Sequence, residues 1–314
     1  MKNLKVVFMG TPDFAVPVLK MLIENTDVVL VVTQPDALVG RKKVLTPSPV
    51  RLIADANNIP VKTPEKIRNE YEEILNYHPD IIITCAYGQI IPKVVLDYPE
   101  YGCINVHASL LPKYRGASPI SKCIYNGETK TGITIMYMDE GIDTGNIIHA
   151  REIEITENDT LGTLSEKLSH LGAKLLLDTL PKIIEGENFD IPQDNEEATY
   201  VGLIKREDER LDFNRTRKEI INHIRSLNPS PLANTIINGE EWKIIEAVIG
   251  PDTVSTVGKI ENITKKSFDI NCSDGKVTIL KVKKPGKKEM EVSALFNGYD
   301  ANLLKDQIVG DNNG

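Results

Sequence analysis

The sequence lacks the features that would assign a chemistry at once. Its four cysteines form no C-x-x-C pair, which excludes the usual zinc and disulfide frameworks, and we expect no metal site. No apolar run approaches the ~18 residues that a membrane helix needs. The N-terminal apolar stretch stops at Thr11, too early for a signal-peptide core. We therefore expect a cytoplasmic protein that does not enter a membrane.

Two phosphate-binding patterns are also missing. The first apolar run leads into "MGTPDF", with one glycine where dinucleotide-binding proteins have G-x-G-x-x-G, and no P-loop pattern occurs. The net charge of −8 argues against binding nucleic acid over the whole surface. The charge is uneven, however, because residues 259–288 hold nine lysines and three acidic residues. A local basic face of this kind can bind phosphate on an acidic protein.

The length of 314 residues predicts two domains, each able to bury its own core. The first half alternates short β-branched runs with helical patterns, which is typical of a doubly wound α/β fold with a mostly parallel sheet. The apolar runs are "KVVFM", "VVLVVT", "DIIITCA" and "CINVH". In such a fold, ligands bind at the carboxyl ends of the strands.

The second half changes character after a long amphipathic helix, whose leucines are spaced three and four apart over residues 160–185. We assign residues 1–187 to the α/β domain. Residues 188–207 lose periodicity and gain charge, and we interpret them as a linker. Residues 208–314 contain one helix and five short strands separated by turn residues, which predicts a small barrel similar to the OB fold.

One strand end carries two polar side chains that suit chemistry on a carbonyl group. Asn105 and His107 are two residues apart in "CINVH", so both side chains point to the same face of the strand. An amide donor and an imidazole proton acceptor suit attack on a carbonyl carbon. Asp143, in the glycine-flanked loop "GIDTG", could orient the imidazole, although Asp139 competes for that role on spacing alone.

These residues lie in segments that resemble the folate-dependent formyltransferases. The stretch "INVHASLLPKYRGASPI" is similar to the N-x-H and S-L-L-P-x-x-x-G signature of that family. The segments "MGTPDFAVPVL", "TQPDALVGRKKVLTPSPV", "CAYGQIIP" and "MDEGIDTGN" resemble those of members that formylate initiator methionyl-tRNA. The similarity runs with few gaps to about residue 230 and continues more loosely beyond it.

The resemblance implies a role for each matching residue. Asn105, His107 and Asp143 match the catalytic residues, which transfer a formyl group from 10-formyltetrahydrofolate to an amine without a metal. Two segments match the walls of the folate pocket, namely Ser109, Leu110, Leu111 and Pro112, and Tyr87, Gly88, Gln89 and Ile90 within the segment 87–92. Phe14 matches a position lining a methionyl pocket, although it could equally be a core residue of the first helix.

The acceptor depends on a second set of residues. Arg41, Lys42 and Lys43 lie in a long stretch without predicted structure, and the resemblance marks it as an insertion that contacts tRNA phosphates. The lysine-rich residues 259–288 would be a second tRNA contact. We expect a monomer acting on initiator methionyl-tRNA. The alternatives are a formyltransferase for an amino sugar nucleotide and an RNA-binding protein without catalysis.

Overall fold

The computed structural model describes residues 1–40, 43–187 and 190–310, and the chain divides into two compact units. The first unit consists of residues 1–119, 130–154 and 165–202. The second consists of residues 120–129, 155–164 and those from 203 onward. No helix among the described residues is both long enough and apolar enough to cross a membrane.

Short strands and helices alternate over the first 202 residues. The strands are β1 (Lys5–Gly10), β2 (Asp27–Val32), β3 (Ala37–Val39), β4 (Val44–Thr46), β5 (Val61–Lys62), β6 (Ile81–Cys85), β7 (Cys103–His107), β8 (Arg115–Gly116), β9 (Lys130–Tyr137), β10 (Ile147–Glu154) and β11 (Tyr200–Val201). The helices are α1 (Val16–Asn25), α2 (Pro49–Ala56), α3 (Ile67–Glu70), α4 (Glu72–Leu75), α5 (Lys93–Leu96), α6 (Pro119–Tyr125) and α7 (Leu161–Ile184), with a 3₁₀ turn at Asp13–Ala15.

The first unit is built on one seven-stranded sheet with the order β10-β9-β7-β6-β1-β2-β5. The five neighbouring strands β7, β6, β1, β2 and β5 pair in parallel, whereas β9 and β10 are antiparallel to their neighbours. The central strands are buried along nearly their whole length, as their continuous apolar runs predict. The expected doubly wound, mostly parallel sheet is confirmed. Its parallel strands therefore end at one common edge.

Two local expectations in this unit were wrong. The stretch around residues 36–48 was expected to lack structure, but β3 and β4 form an antiparallel hairpin. Asp36 at its base accepts two hydrogen bonds from Arg51, at 2.8 and 2.9 Å. Residues 64–76 lie between two apolar strand runs and from their pattern we expect one helix, but the structure has two short helices, α3 and α4, which meet at Tyr71.

The segment interpreted as a linker, 188–207, also needs correction, because residues from 190 to 202 pack into the first unit. Ile191 pairs with Ile147, and β11 lies parallel to β8. The charge and the missing periodicity suggested a linker. The pattern is missing because only two residues of this segment, Tyr200 and Val201, form a strand. Polar side chains and main-chain hydrogen bonds hold it in place, and neither produces a periodic pattern.

The second unit contains a curled antiparallel sheet, in agreement with the predicted barrel-like domain. Its elements are α8 (Arg217–Ser226), β12 (Asn234–Ile237), β13 (Glu240–Ile249), β14 (Ile260–Glu261), β15 (Phe268–Cys272), β16 (Gly275–Lys283), β17 (Met290–Glu291) and α9 (Val292–Leu295). The strand order is β12-β13-β16-β15-β14, and β17 pairs with β16. Trp242, Ile244, Phe268 and Ile279 are buried in its core. The short segments 120–129 and 155–164 belong to this unit as well.

The lysine-rich region is more internally paired than its composition suggests. Four of its nine lysines pair with carboxylates within the unit, namely Lys259, Lys276, Lys281 and Lys284. Lys284 also lies over the rings of Trp242 and Tyr299, at 4.9 and 4.2 Å from their centroids. These lysines therefore contribute to the fold of the second unit, and tRNA contact in this region stays a prediction.

Glu261 is the centre of one such cluster. Its carboxylate accepts hydrogen bonds from Lys276 at 2.8 Å and from Asn271 at 3.1 Å, and Lys259 lies 3.2 Å away. Chiefly the hydrogen bond from Lys276 lowers the pKa of Glu261 to about 2. Because Lys276 is buried, removing the negative charge would leave an ammonium group without its counter-charge.

We expect Glu261→Gln to lower the free energy of unfolding at pH 7 by about 1.5–3 kcal/mol, the range for a hydrogen bond to a charged group. In the folded protein the pKa of Glu261 lies below its ordinary value of 4.5. The stabilisation by the ionised carboxylate is therefore complete above pH 4.5 and is lost as the pH falls towards 2. Urea unfolding followed by the fluorescence of Trp242, the single tryptophan, measures it in this unit.

The control is Glu289→Gln, which removes the exposed pair with Lys281 and should cost at most about 1 kcal/mol. Equal losses in the two variants, or a Glu261→Gln effect that does not shrink in acid, would contradict this role of Glu261.

Candidate active site

Strand β7 delivers two polar side chains to the common edge of the sheet. Asn105 and His107 alternate with buried Val106 along the strand and thus share one face. His107 is only 6% exposed, whereas Asn105 is half-buried. The predicted pair therefore lies where the parallel strands end.

The amide of Asn105 has a defined orientation. The hydroxyl of Thr84, on the neighbouring strand β6, donates to Asn105 Oδ1 at 2.9 Å. The amide nitrogen consequently faces the other way, where Nδ2 lies 3.4 Å from Asp143 Oδ1. An amide nitrogen carries two N–H groups, so Asn105 keeps one donor for a further partner.

The imidazole of His107 also has a defined tautomer. Its Nε2 lies 3.0 Å from the main-chain carbonyl oxygen of Tyr114, which can only accept, so Nε2 carries a hydrogen. In the neutral ring Nδ1 is then unprotonated, and it lies 3.6 Å from Asp143 Oδ2. A proton gained by His107 would therefore be held at Nδ1, beside a carboxylate.

Asp143 joins the two loops that follow β7 and β9. Its Oδ2 accepts the main-chain N–H of Gly116 at 2.7 Å and faces His107, while Oδ1 faces Asn105. The competing residue, Asp139, is engaged elsewhere, because its Oδ1 accepts from Gly141 N at 3.0 Å and from Thr144 Oγ1 at 2.6 Å. Asp139 thus stabilises the turn, and Asp143 is the carboxylate brought to the imidazole.

Sequence reasoning missed the residues that hold this loop. Gln193 Nε2 donates to the carbonyl oxygens of Asp143 and Gly145, at 2.9 and 2.7 Å. Gln193 in turn accepts from Arg115, whose side chain is fully buried. Gln193 lies in the segment interpreted as a linker, and no pattern in that segment distinguishes it. An arginine directly before the glycine of "YRGAS" was the one available signal.

The loop after β7, predicted to contact folate, is closed by its own hydrogen bonds. Ser109 is buried, and its hydroxyl donates to the carbonyl oxygen of Lys113 at 2.6 Å. Thr134 Oγ1 accepts from Leu111 N and donates to the carbonyl oxygen of Ser109. Leu110 and Pro112 are half-buried. The loop therefore presents Leu110 and Pro112 more openly than Ser109.

The segment after β6 divides in the same way. Tyr87 packs into the core of the first unit, and burial raises the pKa of its phenol. Its carbonyl oxygen accepts from Thr11 Oγ1 and Gln34 Nε2, which links the ends of β1, β2 and β6. Gly88 has a φ of 88°, in the left-handed region, and Ile90 is 83% exposed. Ile90 is thus the side chain of this segment that is free to meet a ligand.

Gln89 supports this segment from the other side, because its amide is bonded at both ends. Its Oε1 accepts the N–H of Ile67 at 2.8 Å, and its Nε2 donates to the carbonyl oxygen of Pro64 at 2.9 Å. The amide is therefore already engaged within the fold, and we infer that Gln89 shapes the wall next to Ile90.

The remaining residues predicted to bind the methionyl side chain or tRNA either lie in turns next to other strands or fall outside the described residues. Phe14 is half-buried in the 3₁₀ turn after β1. Lys43 is exposed in the turn of the β3–β4 hairpin, where its N–H donates to the carbonyl oxygen of Gly40. Arg41 and Lys42 lie outside the described residues. Within the described residues no group of three or more His, Cys, Asp or Glu side chains is placed to hold a metal ion.

Two family profiles cover most of the chain. Residues 3–180 match the family described as formyl transferase, and residues 203–300 match its C-terminal domain. Over 314 residues the chain is 47% identical to a protein from Geobacillus sp. (strain WCH70) named methionyl-tRNA formyltransferase, with 98% of both chains covered.

Solved structures agree on the fold. The crystal structure of WlaRD, a sugar 3N-formyl transferase with dTDP and 5-N-formyl-THF, matches with a TM-score of 0.65 and 25% identity, over 92% of this chain and 100% of that one. The methionyl-tRNA formyltransferase from Clostridium thermocellum matches with a TM-score of 0.55 and 21% identity, over 79% and 94% of the two chains.

The contact between Gly116 and Asp143 depends on a glycine. Gly116 has a φ of 107°, and a Cβ there would lie 2.3 Å from the carbonyl oxygen of Val201. We expect Gly116→Ala to destabilise the protein by about 3 kcal/mol, the upper end of the range for such backbone strain. Thermal unfolding followed by circular dichroism measures the loss.

The matched control is Gly202→Ala, directly after the Val201 that pairs with Gly116, where a Cβ would meet no described atom within 4 Å. Its melting temperature should stay close to that of the unaltered protein. If Gly116→Ala were equally harmless, the close approach of β8 and β11 would be wrong.

Proposed function

The chain belongs to the formyl transferase family, and we propose that Asn105, His107 and Asp143 carry out its reaction. The reaction is the transfer of a formyl group from 10-formyltetrahydrofolate to the α-amino group of initiator methionyl-tRNA. The observation that carries the proposal is the convergence of an amide donor, an imidazole and a carboxylate at the carboxyl edge of the sheet.

Asn105 is suited to stabilise developing negative charge. When an amine attacks a formyl carbon, charge develops on the formyl oxygen, and a fixed N–H donor lowers the barrier. The hydroxyl of Thr84 fixes the amide of Asn105 so that Nδ2 faces the site. Because its orientation is set before substrate binds, the amide needs little reorganisation during the reaction.

His107 is suited to hold and return a proton. Its Nε2–H is bound to the main chain, so the proton released by the attacking amine would be taken up at Nδ1. Asp143 then faces a protonated imidazole and stabilises its charge. The N–H of Gly116 keeps the carboxylate in this position, and the same proton can be returned to the leaving nitrogen.

The walls around these residues suit a folate ring system. The segments after β6 and β7 leave adjacent strands, and exposed Ile90 and half-buried Leu110 offer apolar surface beside the polar groups. We assign folate contact to residues 87–90 and 109–112, with Tyr87 and Ser109 supporting the walls from within. 10-Formyltetrahydrofolate supplies the electrophilic formyl carbon.

The tRNA contacts and the domain roles belong to the same proposal. Along the sequence Arg41, Lys42 and Lys43 lie between β3 and β4, and these three basic residues would meet tRNA phosphates. Phe14 would contact the methionyl side chain. We assign catalysis to the first unit and further tRNA contact to the second, and we expect a cytoplasmic monomer.

An amino sugar nucleotide is the second candidate acceptor, because a sugar 3N-formyl transferase shares the fold over 92% of this chain. The test incubates the protein with 10-formyltetrahydrofolate and either methionyl initiator tRNA or an amino sugar nucleotide such as the dTDP-linked class. Formylation of the tRNA alone is expected. Formylation of the sugar nucleotide alone would reject the proposed acceptor.

We expect Asn105→Ala, His107→Ala and Asp143→Ala each to lower kcat by about 10²–10⁴-fold, the range for losing an oxyanion donor or a general base. Single-turnover formylation of methionyl-tRNA measures the effect. The control, Asp139→Asn, keeps the oxygen that caps the turn and should retain most of the activity. Near-normal turnover in all three alanine variants would reject the proposed site.

The three basic residues make a separate prediction about salt. Replacing Arg41, Lys42 and Lys43 together by Ala should raise KM for methionyl-tRNA and flatten its dependence on ionic strength, by about 0.7–0.9 in the log–log slope for each phosphate that is no longer neutralised. The KM for folate should not change. Kinetics over a range of KCl concentrations measure both.

Three exposed lysines from other segments of the first unit serve as a charge-matched control, namely Lys5, Lys20 and Lys174. Their joint replacement by Ala should preserve the salt slope. An unchanged slope in the Arg41, Lys42 and Lys43 variant would remove these three residues from the tRNA interface.

A further inference from the structure

We propose that Gln193, held by Arg115, is a positioning residue that sets the Asp143 carboxylate against His107. The inference rests on the proposed role of Asp143 in formyl transfer. Gln193 lies in the first unit, 50 residues from Asp143 along the chain, in the segment whose composition suggested a linker.

The Arg115 guanidinium provides the fixed end of this arrangement. The side chain is fully buried and donates four hydrogen bonds to neutral acceptors: two to Gln193 Oε1, at 3.0 and 2.8 Å, one to Asn195 Oδ1 at 2.9 Å and one to the Tyr200 hydroxyl at 2.9 Å. A buried charge that is bonded in this way cannot move without losing several hydrogen bonds together.

The guanidinium determines which way the Gln193 amide points. Because Arg115 has only N–H donors, the oxygen of the amide must face it and the nitrogen must face away. That nitrogen donates both of its N–H groups, to the carbonyl oxygens of Asp143 and Gly145. All hydrogen-bonding capacity of the Gln193 amide nitrogen is thus used on the loop that carries Asp143.

The hydrogen bonds from Gln193 support the loop at Asp143 itself. Asp143 has a φ of 53°, in the left-handed region, which an L-residue with a side chain adopts at a cost. Its carbonyl oxygen is bonded by Gln193, and the orientation of that peptide sets the direction of its side chain. Two residues further along the loop, Gly145 allows the close approach to the carbonyl oxygen of Tyr137 that a Cβ would block.

A charged replacement at position 193 separates a positioning role from a purely structural one. A glutamate at this position could still accept from Arg115, with a stronger charge-assisted bond, but its ionised carboxylate could not donate to the two carbonyl oxygens. Gln193→Glu therefore retains the hydrogen bonds from Arg115 and removes those to the Asp143 loop. Gln193→Ala removes both.

The matched control is Asn195→Ala, which removes one hydrogen bond from Arg115 Nη2 and none from the Asp143 loop. Two readouts separate positioning from stability. The first is kcat and KM for both substrates. The second is the imidazole ¹⁵N and ¹H shifts of His107 in the free protein at one pH, assigned by their loss in His107→Asn.

We expect kcat to fall about 10–100-fold in both Gln193 variants, the cost of misplacing a reacting group by about 1 Å, with KM nearly unchanged. The His107 resonances should move in both variants and stay in place in Asn195→Ala. Because Gln193→Glu keeps a charge-assisted bond to buried Arg115, its melting temperature should fall less than that of Gln193→Ala, so this variant carries the test if Gln193→Ala fails to fold.

Unmoved His107 resonances in Gln193→Glu would overturn the inference, whatever the activity. A loss of kcat equal to that in Asn195→Ala would overturn it as well. The resonance comparison needs no substrate, so it still reports whether Gln193 positions Asp143 if Asp143→Ala shows that the proposed catalytic role is wrong.

Discussion

The hydrogen bond from the Gly116 N–H to the Asp143 carboxylate is the interaction on which the site depends. It joins the loop after β7 to the loop after β9, which leave opposite ends of these two antiparallel strands and which the sheet itself does not connect. Without it, the carboxylate would have only long contacts to Asn105 and His107, at 3.4 and 3.6 Å. The glycine is required because β8 and β11 approach each other too closely for a side chain.

The polar side chains of the site follow one rule: each is fixed at one end and available at the other. Thr84 orients the Asn105 amide, a main-chain carbonyl orients the His107 ring, and Gly116 N–H orients Asp143. Gln193, which contacts the main chain of Asp143, is fixed in the same way, because Arg115 orients its amide. Buried polar groups lower stability unless they are hydrogen-bonded. These hydrogen bonds therefore provide the buried groups with partners, and they also fix orientations suited to chemistry.

Much of this arrangement could be predicted from the sequence, for a physical reason. Strand alternation placed Asn105 and His107 on one face, and continuous apolar runs indicated a buried parallel sheet with a common ligand edge. Spacing alone could not decide between Asp139 and Asp143, because both lie in one stretch and only the direction of the chain distinguishes them, so that choice came from the family resemblance. The role of Gln193 left no pattern, since its partners are carbonyl oxygens about 50 residues away. The β3–β4 hairpin was missed because its strands have only three residues each.

The contact between His107 Nε2 and the carbonyl oxygen of Tyr114 has a consequence for how the site can vary. The acceptor is a main-chain atom, so no replacement of the Tyr114 side chain can remove it directly. The tautomer of the imidazole is therefore encoded in the length and path of the connection between these two positions. An insertion or deletion there would change which ring nitrogen meets a carbonyl oxygen, whereas point substitutions that preserve the path would leave the proton-carrying atom the same.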